Sequence, residues 1–223
     1  MKNLTLFDLD GTLIPTDSDH AFGQFMVDIG WADGPEWQRR NNEFFAQYQA
    51  GRMDLPAYVD FATSVWRGRP REEALAARGR FMREVMQPAM RDNARALVRQ
   101  HALAGDLMAI VTATNEYITE PIAEAFGVPH LIAVQLDRDA QGDYTGAVRG
   151  VPSYQEGKVV RVLDWLGGLG HAWDDFERIT FYSDSMNDLS LLERVSHPVA
   201  TNPTPELEQL ARERGWNILK LFE

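Results

Sequence analysis

Phe7-Asp8-Leu9-Asp10-Gly11-Thr12 is the stretch around which this chain is organised. It closes the apolar run Leu4-Thr5-Leu6-Phe7, whose composition predicts a buried strand. Side chains alternate along a strand, so Asp8 and Asp10 are expected to point the same way. Gly11 permits a tight turn directly after them. Two carboxylates held together repel unless a cation or a shared proton compensates. One could then attack as a nucleophile while the other handles protons. The plain alternative is a pair of solvated turn acids.

Three further apolar runs read as buried strands: Leu107 to Val111, Leu131 to Gln135, and Ile179 to Tyr182. Val199-Ala200 and Ile218 to Phe222 are weaker candidates. Helical patterns such as Glu116 to Phe126 and Gly157 to Leu166 lie between the later runs. Strands alternating with helices predict a parallel sheet with crossovers. Asp137 to Gly146 carries Gly142-Asp143 and reads as a hairpin turn placed on that sheet. From about Pro15 to Met90 no strand signal appears. Four amphipathic helices are expected there: Ser18 to Ile29, Glu36 to Gln49, Leu55 to Trp66, and Arg71 to Met86. Such an insertion after the first strand predicts a cap over the strand's carboxyl end, where open α/β sheets bind ligands.

Two more strand ends carry polar groups. Phe181-Tyr182-Ser183-Asp184-Ser185-Met186-Asn187-Asp188 again ends a strand in acids. Asp184 suits a metal ligand, and Asp188 lies one helical turn on; a helix-capping acid is the alternative. In Ile110-Val111-Thr112-Ala113-Thr114-Asn115, a hydroxyl at a strand end before a helix start forms a natural phosphate cradle. Thr112 or Thr114 could equally do no more than cap the helix. Lys158, in Gln155-Glu156-Gly157-Lys158, opens a helix and by itself reads as a solvated charge.

In this order and at these strand ends, the four segments resemble the haloacid dehalogenase superfamily of phosphohydrolases. Asp8-Leu9-Asp10-Gly11-Thr12 matches its first motif, Thr112 its second, Lys158 its third, and Asp184 with Asn187-Asp188 its fourth. The helical insertion looks like that of the phosphoserine phosphatase branch. The resemblance implies an α/β fold, with a Rossmann-like three-layer parallel-sheet core at 1–14 and 91–223 and an all-helical cap at 15–90. It also implies a Mg2+-dependent phosphomonoester hydrolase working through an aspartyl-phosphate. Asp8 would be the nucleophile and Asp10 the general acid and base. Mg2+ would be held by Asp8, Asp10 (through its backbone carbonyl) and Asp184. Thr112 and Lys158 would grip the phosphoryl oxygens, with Gly11 and Ala113 completing the cradle. Asn187 and Asp188 would support the metal and Lys158 from behind.

For the substrate, Asp17 stands where the phosphoserine phosphatases place an acid that pairs with the substrate amine. Their carboxylate-gripping arginine lacks a counterpart in a gapless comparison, although Arg52, Arg67 or Arg69 could be shifted in. A buried substrate carboxylate without a cation would be costly. An amine-bearing ester without a carboxylate is therefore expected. Asp17, Asp19 and His20, with Phe22, Trp31, Trp37, Phe44 and Phe45 nearby, could surround a cationic or aromatic group. For the aromatics, simple core packing is the alternative; for Asp17, helix capping. Histidinol phosphate has the required chemistry, which would place the enzyme in amino-acid biosynthesis. Phosphoserine is the runner-up, phosphoethanolamine-type esters are a third option, and transfer to an alcohol in place of water stays open. The contrasting class is a non-catalytic phosphate-binding protein on the same scaffold, which would be expected to have lost Asp8 or Asp10.

Composition bounds these readings. The 223 residues hold 33 Asp plus Glu against 22 Lys plus Arg, a net charge of −11, and no cysteine. Thiolate metal sites, disulfides and a cysteine nucleophile are excluded. An acidic chain without a basic block disfavours nucleic acid and anionic membranes as partners. It leaves open hard-cation chemistry based on carboxylates. No 18-residue apolar run occurs, and a cytoplasmic protein is expected.

Overall fold

A computed structural model describes residues 2–222. Six strands form one all-parallel sheet: β1 (Lys2–Phe7), β2 (Leu107–Asn115), β3 (His130–Val134), β6 (Phe176–Ser183), β7 (His197–Thr201) and β8 (Asn217–Leu219). Their order is β3-β2-β1-β6-β7-β8. The chain winds from β1 outward through β2 and β3, then returns to β6 and winds the other way. Winding therefore reverses between β1 and β6, and the crevice at their carboxyl ends is where such sheets bind ligands.

Alternation along β1 builds both faces of the sheet. Leu4 and Leu6 pack with Ile179 and Phe181 of β6 on one side. Phe7 packs with Met108 and Ile110 of β2 on the other. The first side is covered by α8 (Glu156–Gly168), α9 (Leu189–Leu192) and α10 (Pro205–Arg214), through Val162, Leu166, Leu191, Leu192, Leu207 and Ala211. The second is covered by α6 (Asp92–Ala104) and α7 (Glu116–Phe126), through Ala94, Val98, Ile118 and Ile122. The result is a three-layer, Rossmann-like α/β core. Burial on both faces explains why its strands read as continuous apolar runs.

An all-helical insertion follows β1: α1 (Ser18–Asp28), α2 (Gly34–Gln49), α3 (Leu55–Thr63) and α4 (Arg71–Phe81). The fourth continues through a π-type turn at Met82–Met86 into α5 (Gln87–Ala89). Phe22 and Trp37 are buried here: Phe22 meets Phe81 edge-on at 4.9 Å and Trp37 stacks on Phe61 at 4.6 Å. Both serve the core of the insertion. Among the described residues no helix is long and apolar enough to cross a membrane.

The hairpin departs from expectation. β4 (Leu136–Arg138) and β5 (Tyr144–Val148) pair with each other in a separate two-stranded antiparallel sheet, not on the main one. The Leu136 N–H is taken by the Glu116 carboxylate at 3.2 Å. Tyr144 turns onto Trp66 and Tyr117, with ring centroids at 5.1 and 5.8 Å. The apolar side of the hairpin is thus spent on the aromatic cluster beside the helical insertion. The helices α6 and α10 were not among the expected elements; each buries a short apolar face, Ala94 and Val98 in α6 and Leu207 and Ala211 in α10.

A polar network ties β1 to β2. The Asp106 carboxylate accepts from Thr5 Oγ1 (2.9 Å) and Asn3 Nδ2 (3.1 Å) and pairs with His101 Nδ1 (2.7 Å), whose Nε2 meets Tyr182 Oη at 2.8 Å. Burial pushes this carboxyl up, but the hydrogen bonds from His101, Asn3 and Thr5 more than offset it and hold it below the usual value. Asp106→Ala is expected to cost about 1–3 kcal/mol, because Thr5 and Asn3 lose their acceptor. A depressed carboxyl stabilises the fold above the ordinary carboxylate range and loses that effect as pH falls. Urea unfolding of both proteins should therefore show the gap at neutral pH and its shrinkage under acid conditions.

Candidate active site

The carboxyl ends of β1 and β6 bring the expected acids together. Asp8, immediately after β1, is 3% exposed, and its N–H still bonds the Tyr182 carbonyl at 2.9 Å. Asp184 follows β6 directly. Gly11 explains their closeness: its φ is +74°, and a Cβ there would collide with the Asp184 carboxylate. It thus serves turn geometry and close approach. The Thr12 hydroxyl lies 3.4 Å from Asp8 Oδ2 and 3.3 Å from Asp184 Oδ1, bridging the two acids.

Lys158 comes from the first turn of α8 and is 1% exposed. Its Nζ donates to Asp8 Oδ1 at 2.8 Å and contacts both Asp188 oxygens at 2.6 and 2.8 Å. The Ser183 hydroxyl donates to Asp188 at 2.7 Å. Asp188 therefore anchors the lysine. Desolvation works against the lysine's charge, but Asp188 and Asp8 outweigh it and raise the ammonium above its ordinary value. Burial raises the Asp8 carboxyl to about 7, with Lys158 opposing and Asp188 and Asp10 adding. Burial likewise raises Asp184 well above the carboxylate range, and Asp8 and Asp188 push it further.

Asp10 sits one step out. It accepts from the Ser18 N–H (2.7 Å) and from the Thr114 hydroxyl (2.9 Å), with Thr112 Oγ1 at 3.5 Å. Thr112 in turn accepts from the Thr114 N–H at 3.1 Å. Burial and then the Asp17 charge push Asp10 up to about 7, against the Ser18 and Thr114 bonds. Asp8 and Asp10 thus share one site but have different partners: Asp8 leans on a cation, Asp10 on neutral donors. Asn187 meets the helical insertion. Its Nδ2 donates to the Tyr48 carbonyl at 3.0 Å, and Gln155 Nε2 donates to the Gly51 carbonyl at 3.1 Å. Both bonds join the helical insertion to the core, because the short turn at Met186–Asp188 directs residues 187 and 188 differently.

Beyond Asp10 lies a recess of about 600 Å3 lined by Asp10, Asp17, His20, Phe45, Tyr48 and Asp184 among others. It leads to an inner pocket of about 20 Å3 beside Asp17, Asp19, Phe44, Tyr58, Ala113 and Thr114. Asp17 both caps α1, accepting from the His20 N–H at 2.7 Å, and lines this space. Burial raises its carboxyl to about 6 despite the His20 and Asp19 backbone bonds. His20 Nε2 pairs with Asn42 Oδ1 at 2.8 Å, and its ring lies 4.7 Å from Phe45. Asp19 is buried, and its carboxyl is pushed well up by burial and by Asp17, against hydrogen bonds with Tyr58 and Asn115. Tyr58 and Asn115 were not foreseen as site residues: neither carries a local signal, and the fold alone brings α3 and the end of β2 to Asp19. No arginine or lysine lines either space. Arg67 and Arg69 line a different cavity.

A family model described as haloacid dehalogenase-like hydrolase matches residues 5–193. The chain belongs to that family. A histidinol-phosphatase from Neisseria meningitidis serogroup C (strain 8013) is 42% identical over 219 residues, covering 98% of this chain and 99% of that relative. A crystal structure of a protein of unknown function from Bordetella pertussis Tohama I superposes with a TM-score of 0.93 at 44% identity, covering both chains fully. A substrate-bound phosphoserine phosphatase superposes with a TM-score of 0.69 at 17% identity, covering 98% of this chain and 93% of the other, a likeness of fold. This hydrolase therefore shares its capped α/β scaffold with phosphatases.

The donors present fit Mg2+. Asp8 and Asp188 are buried and Asp184 is half-buried beside them, with Lys158 the one cation paired to them among the described residues, and hard oxygen donors in negative excess suit a hard dication. Among the described residues no three acidic, histidine or cysteine side chains converge as a metal cluster.

Proposed function

We propose that this phosphatase is a Mg2+-dependent phosphomonoesterase that works through an aspartyl-phosphate on Asp8 and prefers histidinol phosphate. Asp8 Oδ attacks phosphorus, and the ester P–O bond breaks. Asp10 gives its proton to the departing alkoxide, then takes one from the water that attacks the phosphorus of the aspartyl-phosphate. Inorganic phosphate leaves, and Asp8 and Asp10 return to their starting states. Lys158, held by Asp188, keeps Asp8 ionised and in place and counters charge on the phosphoryl oxygens, with the Thr112 hydroxyl beside them. When bound between Asp8, Asp184 and the Asp10 carbonyl, Mg2+ would supply charge neutralisation. Residues 15–90 are the cap that reads the leaving group, over a core formed by 1–14 and 91–223.

The observation that carries the substrate reading is the pocket beyond Asp10: two carboxylates, Asp17 and Asp19, aromatic rings, and no cationic side chain. An ammonium or protonated imidazole finds acids and ring faces there. A substrate carboxylate would find only like charge. The 42% identical histidinol-phosphatase adds weight. Purified enzyme should release phosphate with Mg2+ and stop in EDTA. Its kcat/KM for histidinol phosphate should exceed that for phosphoserine by at least about 100-fold. Better turnover of phosphoserine would overturn the substrate reading.

A further inference from the structure

A second cavity, of about 140 Å3, shares no lining residue with the Asp8 site. It lies where the helical insertion, the β4–β5 hairpin and α7 meet. Five guanidinium groups line it, from Arg67, Arg69, Arg71, Arg78 and Arg138, against two carboxylates, Glu120 and Asp143. In a chain of net charge −11, that local balance runs against the whole.

Arg69, Arg78 and Arg138 are held mainly by carbonyls and ring faces, which leave charge on them, although the Glu120 carboxylate acts on both Arg78 and Arg138. Arg78 Nη1 donates to the Tyr117 carbonyl at 2.9 Å and lies over the Tyr117 ring at 4.7 Å, with Glu120 only at 3.7 Å. Arg138 lies 3.8 Å over the Tyr144 ring and donates to the Gly142 carbonyl and the Tyr144 hydroxyl. Arg69 lies 4.1 Å over Trp31 and donates to the Val65 carbonyl. Arg67 alone has a close carboxylate, Asp60 at 2.6 Å. Its guanidinium passes over Gly146, where any Cβ would collide with it. Among the described residues Arg69, Arg71 and Arg138 form no ion pair. Trp66 and Tyr117, stacked at 3.9 Å, give the cavity a rigid wall. Planar donors fixed by rings and carbonyls, with charge to spare, match the oxygens of a phosphate. A single water needs roughly 10–15 Å3 of such space, so the cavity has room for a phosphate group with its waters.

We propose that this cavity binds a phosphate group, free or carried on a metabolite, at a site separate from the one around Asp8. The bound group bridges the arginines of the insertion to Arg138 of the hairpin and to Arg78 over α7. The test is a titration of the full chain in EDTA with inorganic phosphate and, separately, with AMP, followed by amide chemical shifts. Saturable shifts are expected at Arg71, Asp143 and Tyr144. Arg71→Ala combined with Arg138→Ala should weaken them at least about tenfold, the equivalent of one lost charge-assisted hydrogen bond. Shifts near Asp17 and His20, from phosphate at the Asp8 site, should stay as they were. Both substituted side chains are exposed, so the fold is retained. Saturation by phosphate identifies the free anion as the ligand, and tighter saturation by AMP an ester. Absence of saturable shifts at those three amides up to tens of millimolar, or equal affinity in the double variant, overturns the proposal.

Discussion

Asp8→Asn is expected to yield a folded protein that no longer turns over any phosphomonoester. The carboxamide has nearly the shape of the carboxylate, and its oxygen can still accept from Lys158 Nζ, now 2.8 Å from Asp8 Oδ1. What it lacks is nucleophilicity. The loss in kcat should reach at least about 10^4-fold, the scale seen when one member of a concerted catalytic group is removed. Thermal unfolding in EDTA should show no loss of stability, because the substitution removes one of several buried like charges that already push the Asp8 and Asp184 carboxyls upward. Mass spectrometry must exclude deamidation back to Asp. Full activity in a verified Asp8→Asn protein would sink the assignment of the nucleophile.

Lys158→Met is expected to have the largest effect on stability. Its ammonium is 1% exposed and is the only cation in contact with Asp8 and Asp188 among the described residues. Methionine fills similar volume, so packing changes little. The change leaves two buried carboxylates without their counter-charge, and breaking a buried pair this way costs about 3–5 kcal/mol. Urea unfolding in EDTA measures it directly. Added Mg2+ should recover part of the loss, since the same acids then gain another cation. A stability equal to the parent in EDTA would mean that the acids simply take up protons at little cost.

What could be read from the sequence was what is local. An apolar run ending in Asp8, Leu9 and Asp10 before a glycine carries its strand, its turn and its acids within a few residues. Asp184 was legible for the same reason. Lys158 was legible only through the family resemblance: it lies 150 residues from Asp8, and by itself it reads as a solvated charge. Asn187 shows the opposite case. Its spacing from Asp184 places it near the site, but which way a side chain leaves a short turn depends on the carbonyl of Tyr48, far away in the chain. The hairpin fails likewise. Gly142 marks the turn, yet whether the strands join the main sheet is decided by Trp66 and Tyr117. Asp19 meets Tyr58 and Asn115 only because three elements converge.

The inner pocket beside Asp17 and Asp19 has about 20 Å3, enough for roughly one water. The segment from Tyr48 to Met53 closes one side of it, through the side chains at its two ends. That segment is fastened to the core by the bonds from Asn187 to the Tyr48 carbonyl and from Gln155 to the Gly51 carbonyl. These two bonds tie one wall of the pocket to the core, so the helical insertion and the sheet domain shape it together.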